Sequence, residues 1–172
     1  MKKPALANNS NTKKGVYRPI NPHKYIRDYT NIIYRSSWEM NFMIYLDTSD
    51  MVSEWCSEYP EIKYDMPDNN GKMKEHTYFP DFYVSFIHPK YPEDRVKCIF
   101  EIKPYKDTIE PIVPMNVSTP QKFNNLVYNI ESWKKNSHKW LFADNWCQQH
   151  GFKFKVIHEN NVADIVGKKI FG

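Results

Sequence analysis

The sequence contains no apolar run close to the ~20 residues that a membrane-spanning helix requires. Lys2 and Lys3 stand near the N-terminus, but no apolar stretch long enough for a signal peptide follows them. Neither a membrane protein nor a secreted one is therefore expected. With 172 residues, 41% of them hydrophobic and 16% aromatic, the chain is long enough for one domain with a core and too short for two.

Cysteine is also scarce, and Cys56, Cys98 and Cys147 lie far apart in apolar surroundings. An odd number of cysteines without ligand spacing favours neither a disulfide framework nor a cysteine-based metal site. The sequence predicts reduced core thiols, which are typical of a cytosolic environment. The histidines do not show the spacing of metal ligands either. The sequence contains no helix-turn-helix or zinc-module signature, so sequence-specific recognition of bases is not expected.

Acidic residues are absent from the first 24 positions, although six of the 24 basic residues lie there. The rest of the chain therefore holds 18 basic residues against 20 acidic ones. This composition, rich in Asn, Lys and Pro, predicts a flexible basic arm over residues 1–24 and a folded domain over residues 25–172. Such an arm favours a polyanionic partner, through the release of counterions, or serves only as a solubilising end.

Helical and strand patterns alternate along the remaining chain. Ser36 and Glu39 fit a capping box, and apolar residues at helical spacing predict a helix to about Leu46. Asn69-Asn70-Gly71 predicts the turn of a hairpin between residues 61–65 and 74–78. The order of helices and strands along the chain favours an α/β sandwich around a mixed sheet. The other expected elements are strands over 51–56, 83–87, 96–103 and 152–157, a loop or lid over 104–120, helices that begin at Thr119-Pro120 and at Ser137, and an amphipathic tail over 162–170.

Three charged residues fall where strands are expected to be half-buried. Asp81, within Phe79-Pro80-Asp81-Phe82, begins one strand, whereas Glu101 and Lys103 lie in the next. Strand alternation places Glu101 and Lys103 on the same face, ~7 Å apart. If the two strands pair through the turn at 88–95, Asp81 lies beside Glu101. Adjacent carboxylates repel each other, and Mg²⁺ with its octahedral oxygen ligands would relieve that repulsion.

Lys103 would then orient or activate the attacking water and stabilise the charge of the transition state. The pattern thus favours a magnesium-dependent nuclease. The alternative interpretation is a surface ion pair, because Glu-x-Lys by itself is common on solvated strands.

These residues resemble the PD-(D/E)xK nuclease superfamily. Pro80-Asp81 matches the first half of its motif, Glu101-Ile102-Lys103 matches the second, and the order of elements over residues 30–160 matches as well. Within the superfamily the chain is similar to the head completion nucleases of T4-like phages and to the catalytic domain of the Tn7-type transposon end-cleaving subunit. This closer resemblance rests on Arg35-Ser36-Ser37-Trp38-Glu39, Trp55-Cys56-Ser57-Glu58, Tyr78-Phe79-Pro80-Asp81-Phe82, Glu101-Ile102-Lys103-Pro104 and Lys139-Trp140.

The resemblance implies a restriction-endonuclease-like fold, which is a three-layer α/β sandwich with a central mixed β-sheet flanked by helices. It also implies that Asp81, Glu101 and the backbone carbonyl of Ile102 bind Mg²⁺, for which Mn²⁺ can substitute, and that Lys103 is catalytic. Glu39 on the first core helix would complete the site. Glu39 is equally the capping-box residue of that helix, and the two roles are compatible.

The resemblance further implies endonuclease and exonuclease activity on double-stranded DNA, without sequence preference, during head completion and head–tail joining. The expected partners are phage head or neck proteins and a second copy in a homodimer, and the expected location is the host cytoplasm or the virion neck. Lys139, which is equally a solvated flank residue, is a candidate contact to DNA phosphates. The candidates in the basic arm are Lys13, Lys14 and Arg18.

Two other functions stay open on sequence alone. The first is a non-catalytic DNA-end-binding protein of the head or neck, in which the basic arm grips packaged DNA. The second is a transposase-like or junction-resolving nuclease, which keeps the chemistry and changes the biological role.

Overall fold

The fold was analysed in a computed structural model, which describes residues 14–68 and 70–167. Short 3-10 turns occupy Pro22–Lys24, Tyr29–Asn31 and Tyr105–Asp107. Among the described residues, no helix combines the length and the apolar character needed to cross a membrane. The strands and helices, in chain order, are β1 (Gly15–Tyr17), β2 (Ile32–Tyr34), α1 (Ser37–Thr48), β3 (Val52–Ser57), β4 (Ile62–Pro67), β5 (Met73–Tyr78), β6 (Phe82–Ile87), β7 (Arg95–Ile102), α2 (Pro120–Gln149), β8 (Lys153–Ile157) and α3 (Val162–Val166).

A four-stranded mixed sheet in the order β3-β6-β7-β8 forms the centre of the molecule. Strands β3, β6 and β7 are antiparallel neighbours, whereas β8 joins β7 in parallel after the crossover through α2. In the β6–β7 pair Phe82 lies opposite Phe100, and the register continues unbroken to Ile87 opposite Arg95. The expected α/β architecture with a central mixed sheet flanked by helices is confirmed.

The two faces of the sheet are covered by different helices. Phe42 of α1 contacts Phe82 and Phe100, with ring centroids 5.2 Å and 5.5 Å away. On the opposite face, Phe152 contacts Trp146 of α2 at 5.4 Å and Tyr83 at 5.9 Å. Because alternate residues of a strand point to opposite faces, Glu101 shares the face that α2 covers.

The predicted hairpin is confirmed as β4 and β5, which form a separate two-stranded sheet. Ile62, Tyr64 and Tyr78 bury their side chains against Ala143 of α2 in a second, smaller core. Gly71 in the turn has φ +78, a left-handed conformation that favours glycine. The hairpin therefore packs on α2 and brings Tyr78, its last residue, next to the end of β7.

Helix α1 begins as the sequence predicts. The Ser36 hydroxyl accepts a hydrogen bond from the Glu39 backbone N–H at 3.1 Å, and the Glu39 carboxylate accepts one from the Arg35 backbone N–H at 2.9 Å. The first bond satisfies a donor that the first turn of a helix leaves unpaired, and the second ties the helix to the residue before its cap. Phe42 and Leu46 on the following turns are fully buried in the core.

The prediction of two helices after residue 119 is wrong. Thr119 caps a single helix, α2, which runs for 30 residues and passes through Ser137 without a break. No proline or glycine lies between Gln121 and Gln149, so nothing interrupts the backbone hydrogen bonds, and a serine within a helix costs little. In the first half of α2 the side chain of Phe123 is 56% exposed.

Residues 15–24 are packed on the domain rather than belonging to a flexible arm. The Asp47 carboxylate, which is fully buried at the end of α1, accepts hydrogen bonds from the Tyr17 hydroxyl at 2.9 Å and from the backbone N–H of Ile20 at 2.7 Å and of Asn21 at 2.9 Å. The buried Tyr17 ring and the hydrogen bonds to Asp47 hold the segment on the domain, although its basic composition predicts a flexible arm. Residues 1–13, including Lys13, and the end of the predicted tail after Gly167 lie outside the described residues.

We expect Asp47→Ala to lower the free energy of unfolding by roughly 3 kcal/mol, because it removes a charged acceptor shared by three donors. Urea unfolding measures this change, and Asp50→Ala at an exposed neighbouring position is the matched control. An unchanged urea midpoint for Asp47→Ala would show that the carboxylate does not anchor residues 15–24.

Candidate active site

Asp81 and Glu101 meet across two adjacent antiparallel strands. Phe82 lies opposite Phe100, so the residue before Phe82 and the residue after Phe100 are cross-strand neighbours. The backbone N–H of Ile102 donates a hydrogen bond to Asp81 Oδ2 at 2.8 Å, which fixes the carboxylate beside β7. The structure thus brings together Asp81, Glu101 and Ile102, the three residues that the resemblance implies as metal ligands.

The Glu101 carboxylate is buried, with 3% of the residue exposed, and each of its oxygens has a donor. The Tyr78 hydroxyl donates to Oε2 at 2.6 Å, and Lys103 Nζ lies 3.2 Å from Oε1. The predicted sharing of one face by Glu101 and Lys103 is confirmed. Both contacts hold the carboxylate in a single orientation.

The electrostatics of the site reflect two carboxylates in a space that excludes much of the water. Burial, and next the neighbouring Glu101 charge, raise the pKa of Asp81, while the Lys103 ammonium opposes the rise. Burial alone would lower the pKa of Lys103, but Glu101 and Asp81 outweigh it and raise the pKa of that ammonium. The site therefore carries closely spaced acidic groups for which one lysine is an incomplete counterion.

The structure places Glu39 in its capping role. One carboxylate oxygen accepts from the Arg35 backbone N–H and the other from the Ser36 hydroxyl, at 2.9 Å and 3.1 Å. Its charge also contributes to the raised pKa values of Asp81 and Lys103. A role for Glu39 as a metal ligand stays a prediction, and it is compatible with the cap because each carboxylate oxygen keeps a free lone pair.

The donor set suits a hard cation that retains water. In the described part of the chain, no group of three or more His, Cys, Asp or Glu side chains is arranged to enclose a metal ion. Mg²⁺ does not need such a cage, because it usually takes one or two carboxylates and keeps several waters. Asp81, Glu101 and the backbone carbonyl of Ile102 could therefore hold it, and its charge would compensate the repulsion between the two carboxylates.

Sequence reasoning missed Tyr78. Its hydroxyl is buried against Glu101, and burial followed by the Glu101 charge raises the pKa of Tyr78. Only the pairing of the hairpin, which places Ile62 opposite Tyr78 and both in the second core, brings this ring under the site. The one signal in the sequence is its position, three residues before Asp81 at the end of a strand.

Of the predicted phosphate contacts, the structure brings Lys139 to the site. Its Nζ lies 5.0 Å from the centre of the Tyr78 ring. Burial lowers the pKa of Lys139, and the positive charges of Lys103 and Lys135 act in the same direction, while Glu101 opposes them. Lys14 and Arg18 are exposed beside β1, which belongs to a different sheet from the one that carries the site.

A mixed sheet flanked by helices, with paired carboxylates and a lysine on adjacent strands, defines a restriction-endonuclease-like nuclease. Residues 49–159 match the family described as "TnsA-like endonuclease N terminal". The chain is also 31% identical over 150 residues to the head completion nuclease of Enterobacteria phage T4, a match that covers 86% of this chain and 92% of that protein. This protein belongs to the TnsA-like endonuclease family.

We expect Tyr78→Phe to lower nuclease activity by roughly tenfold or more, because a hydrogen bond to a charged group contributes about 1.5–3 kcal/mol. Rates of cleavage of a fluorescently labelled DNA measure the effect, and Tyr91→Phe at an exposed position is the control. Wild-type activity in Tyr78→Phe would mean that the hydroxyl does not position Glu101 for the reaction.

Proposed function

We propose that this protein is a Mg²⁺-dependent deoxyribonuclease that hydrolyses phosphodiester bonds at the Asp81–Glu101 pair. The observation that carries the proposal is the location of this pair across β6 and β7, with the Lys103 ammonium 3.2 Å from Glu101 Oε1. Two carboxylates and one cation at the ends of two adjacent inner strands are suited to binding a divalent metal and a phosphate together. Mn²⁺ is expected to substitute for Mg²⁺.

Each residue has a part in the proposed reaction. Asp81, Glu101 and the carbonyl of Ile102 would hold the metal, which when bound supplies a polarised water and neutralises phosphate charge. Lys103 would orient the attacking water and donate to a phosphate oxygen as negative charge develops in the transition state. Tyr78 would keep Glu101 in place, and Lys139 would contact a phosphate beside the cleaved bond.

The proposed biological role follows from the relative. The T4 protein is named for head completion, and the two chains match over most of both lengths. We infer that this nuclease acts in phage head completion, on DNA and without sequence preference, and that it works as an endonuclease with exonuclease activity on DNA ends. Phage head or neck proteins are the partners expected for that role.

A plasmid-cleavage assay tests the proposed chemistry. With Mg²⁺, the wild type is expected to convert supercoiled DNA to nicked and linear forms, and EDTA is expected to abolish the reaction. Glu101→Gln keeps the size of the side chain but removes the charge, so we expect a loss of roughly 10²-fold or more.

Glu93→Gln, at an exposed position in the turn between β6 and β7, is the matched control and should cleave like the wild type. Intact plasmid with the wild type in both Mg²⁺ and Mn²⁺ would contradict the proposal. Equal rates for Glu101→Gln and the wild type would contradict the assignment of the site.

A further inference from the structure

A cleft of about 740 Å³ opens beside the candidate active site. One wall is the segment 103–112, and the other is the middle of α2, from Leu126 to Lys139. Lys103 lines the cleft, so the cleft is continuous with the site described above. The walls carry polar, cationic and aromatic side chains together with the apolar Ile109, Ile112 and Leu126.

The cleft carries an excess of positive charge. Four lysines, Lys103, Lys106, Lys135 and Lys139, line it, against two acidic residues, Asp107 and Glu110. Within the described residues, Lys106, Lys135 and Lys139 form no ion pair with a carboxylate. Ammonium groups that the protein leaves without internal counterions can bind phosphates and release the counterions of a nucleic acid.

Aromatic side chains lie among these lysines. Trp133 is half-buried in the wall that α2 supplies, and Tyr128, five residues earlier on the same helix, is 69% exposed. In the described part of the chain neither ring packs against another aromatic ring. Aromatic rings next to cations are the arrangement by which proteins bind unpaired bases, since every base can stack on such a ring.

The size of the cleft distinguishes an unpaired strand from a duplex. About 740 Å³ falls within the range of roughly 300–1,000 Å³ that is typical of sites for small ligands. A double helix, whose major groove alone is ~12 Å wide, does not fit into such a volume. A duplex therefore has to lie across the opening, and only a strand released from pairing can enter.

We propose that this cleft binds unpaired DNA adjacent to the cleaved bond, such as a single-stranded tail or a frayed end. A base stacks on Trp133, and the flanking phosphates bind Lys106 and Lys135, while Lys103 and Lys139 lie towards the cleaved bond. The proposal rests on the proposed nuclease function and gives its substrate class. The enzyme then prefers duplexes with tails or open ends to blunt duplexes.

Fluorescence anisotropy in EDTA, which measures binding without cleavage, tests this preference. The probes are one labelled duplex with blunt ends and the same duplex with a thymidine tail of about ten nucleotides on the 3′ or the 5′ strand. We expect the wild type to bind one of the tailed duplexes roughly tenfold more tightly, as one stacked base provides. Trp133→Ala should reduce the ratio towards one, and Trp133→Phe should preserve most of it.

A second variant changes two exposed lysines, so its result does not depend on whether Trp133→Ala folds. Lys106→Ala combined with Lys135→Ala should lower the salt dependence of tail binding, by about 0.7 in the slope of log K against log salt for each lysine. Lys134→Ala is the matched control, because Lys134 is an exposed neighbour of Lys135 on α2 outside the cleft. It should leave the slope and the binding ratio unchanged.

Equal affinity of the wild type for tailed and blunt duplexes would overturn the proposal. So would a binding ratio that survives both in Trp133→Ala and in the double lysine variant. A protein that binds tails preferentially but cleaves nothing in Mg²⁺ or Mn²⁺ would retain the cleft assignment and contradict only the proposed nuclease function. Cleavage without tail preference would contradict the cleft assignment alone.

Discussion

The repulsion between two carboxylates is the constraint around which this structure is organised. Asp81 and Glu101 lie side by side because β6 and β7 pair with Phe82 opposite Phe100. Their proximity and partial burial are unfavourable in isolation, as the raised pKa of Asp81 reflects. The fold holds them there with the Ile102 N–H on Asp81 and the Tyr78 hydroxyl and Lys103 ammonium on Glu101. Two carboxylates held side by side attract positive charge, so the arrangement suits the binding of a divalent cation together with a phosphate.

Each structural layer supplies one part of that arrangement. Helix α1 packs Phe42 against Phe82 and Phe100 and so fixes the two strands on which the acids lie. The β4–β5 hairpin carries Tyr78 under Glu101, and α2 holds the hairpin through the core around Ala143. The same helix extends past the sheet and forms one wall of the lysine-lined cleft. A continuous α2 therefore joins the reaction site to the surface proposed to receive the substrate.

Features set by local patterns could be predicted from the sequence. The period of two in a strand placed Glu101 and Lys103 on one face, and the Ser36–Glu39 spacing identified the start of α1. Features that depend on contacts between distant residues could not. Tyr78 reaches Glu101 only through the hairpin pairing, and Asp47 anchors residues 15–24 through bonds that span some 26 to 30 positions. The Ser137 side chain could cap a helix, but no proline or glycine before it ends the preceding helix, so α2 continues through this position.

The central claim is that Asp81 and Glu101 form one metal site, and titration of the protein with Mn²⁺, followed by electron paramagnetic resonance, tests it most directly. Asp81→Asn is the informative variant, because its amide oxygen can still accept the hydrogen bond from the Ile102 N–H while the charge is lost. The account predicts one strong Mn²⁺ site per chain in the wild type, competed by Mg²⁺, and an affinity weaker by roughly tenfold or more in Asp81→Asn. Equal affinities in the two proteins would contradict it.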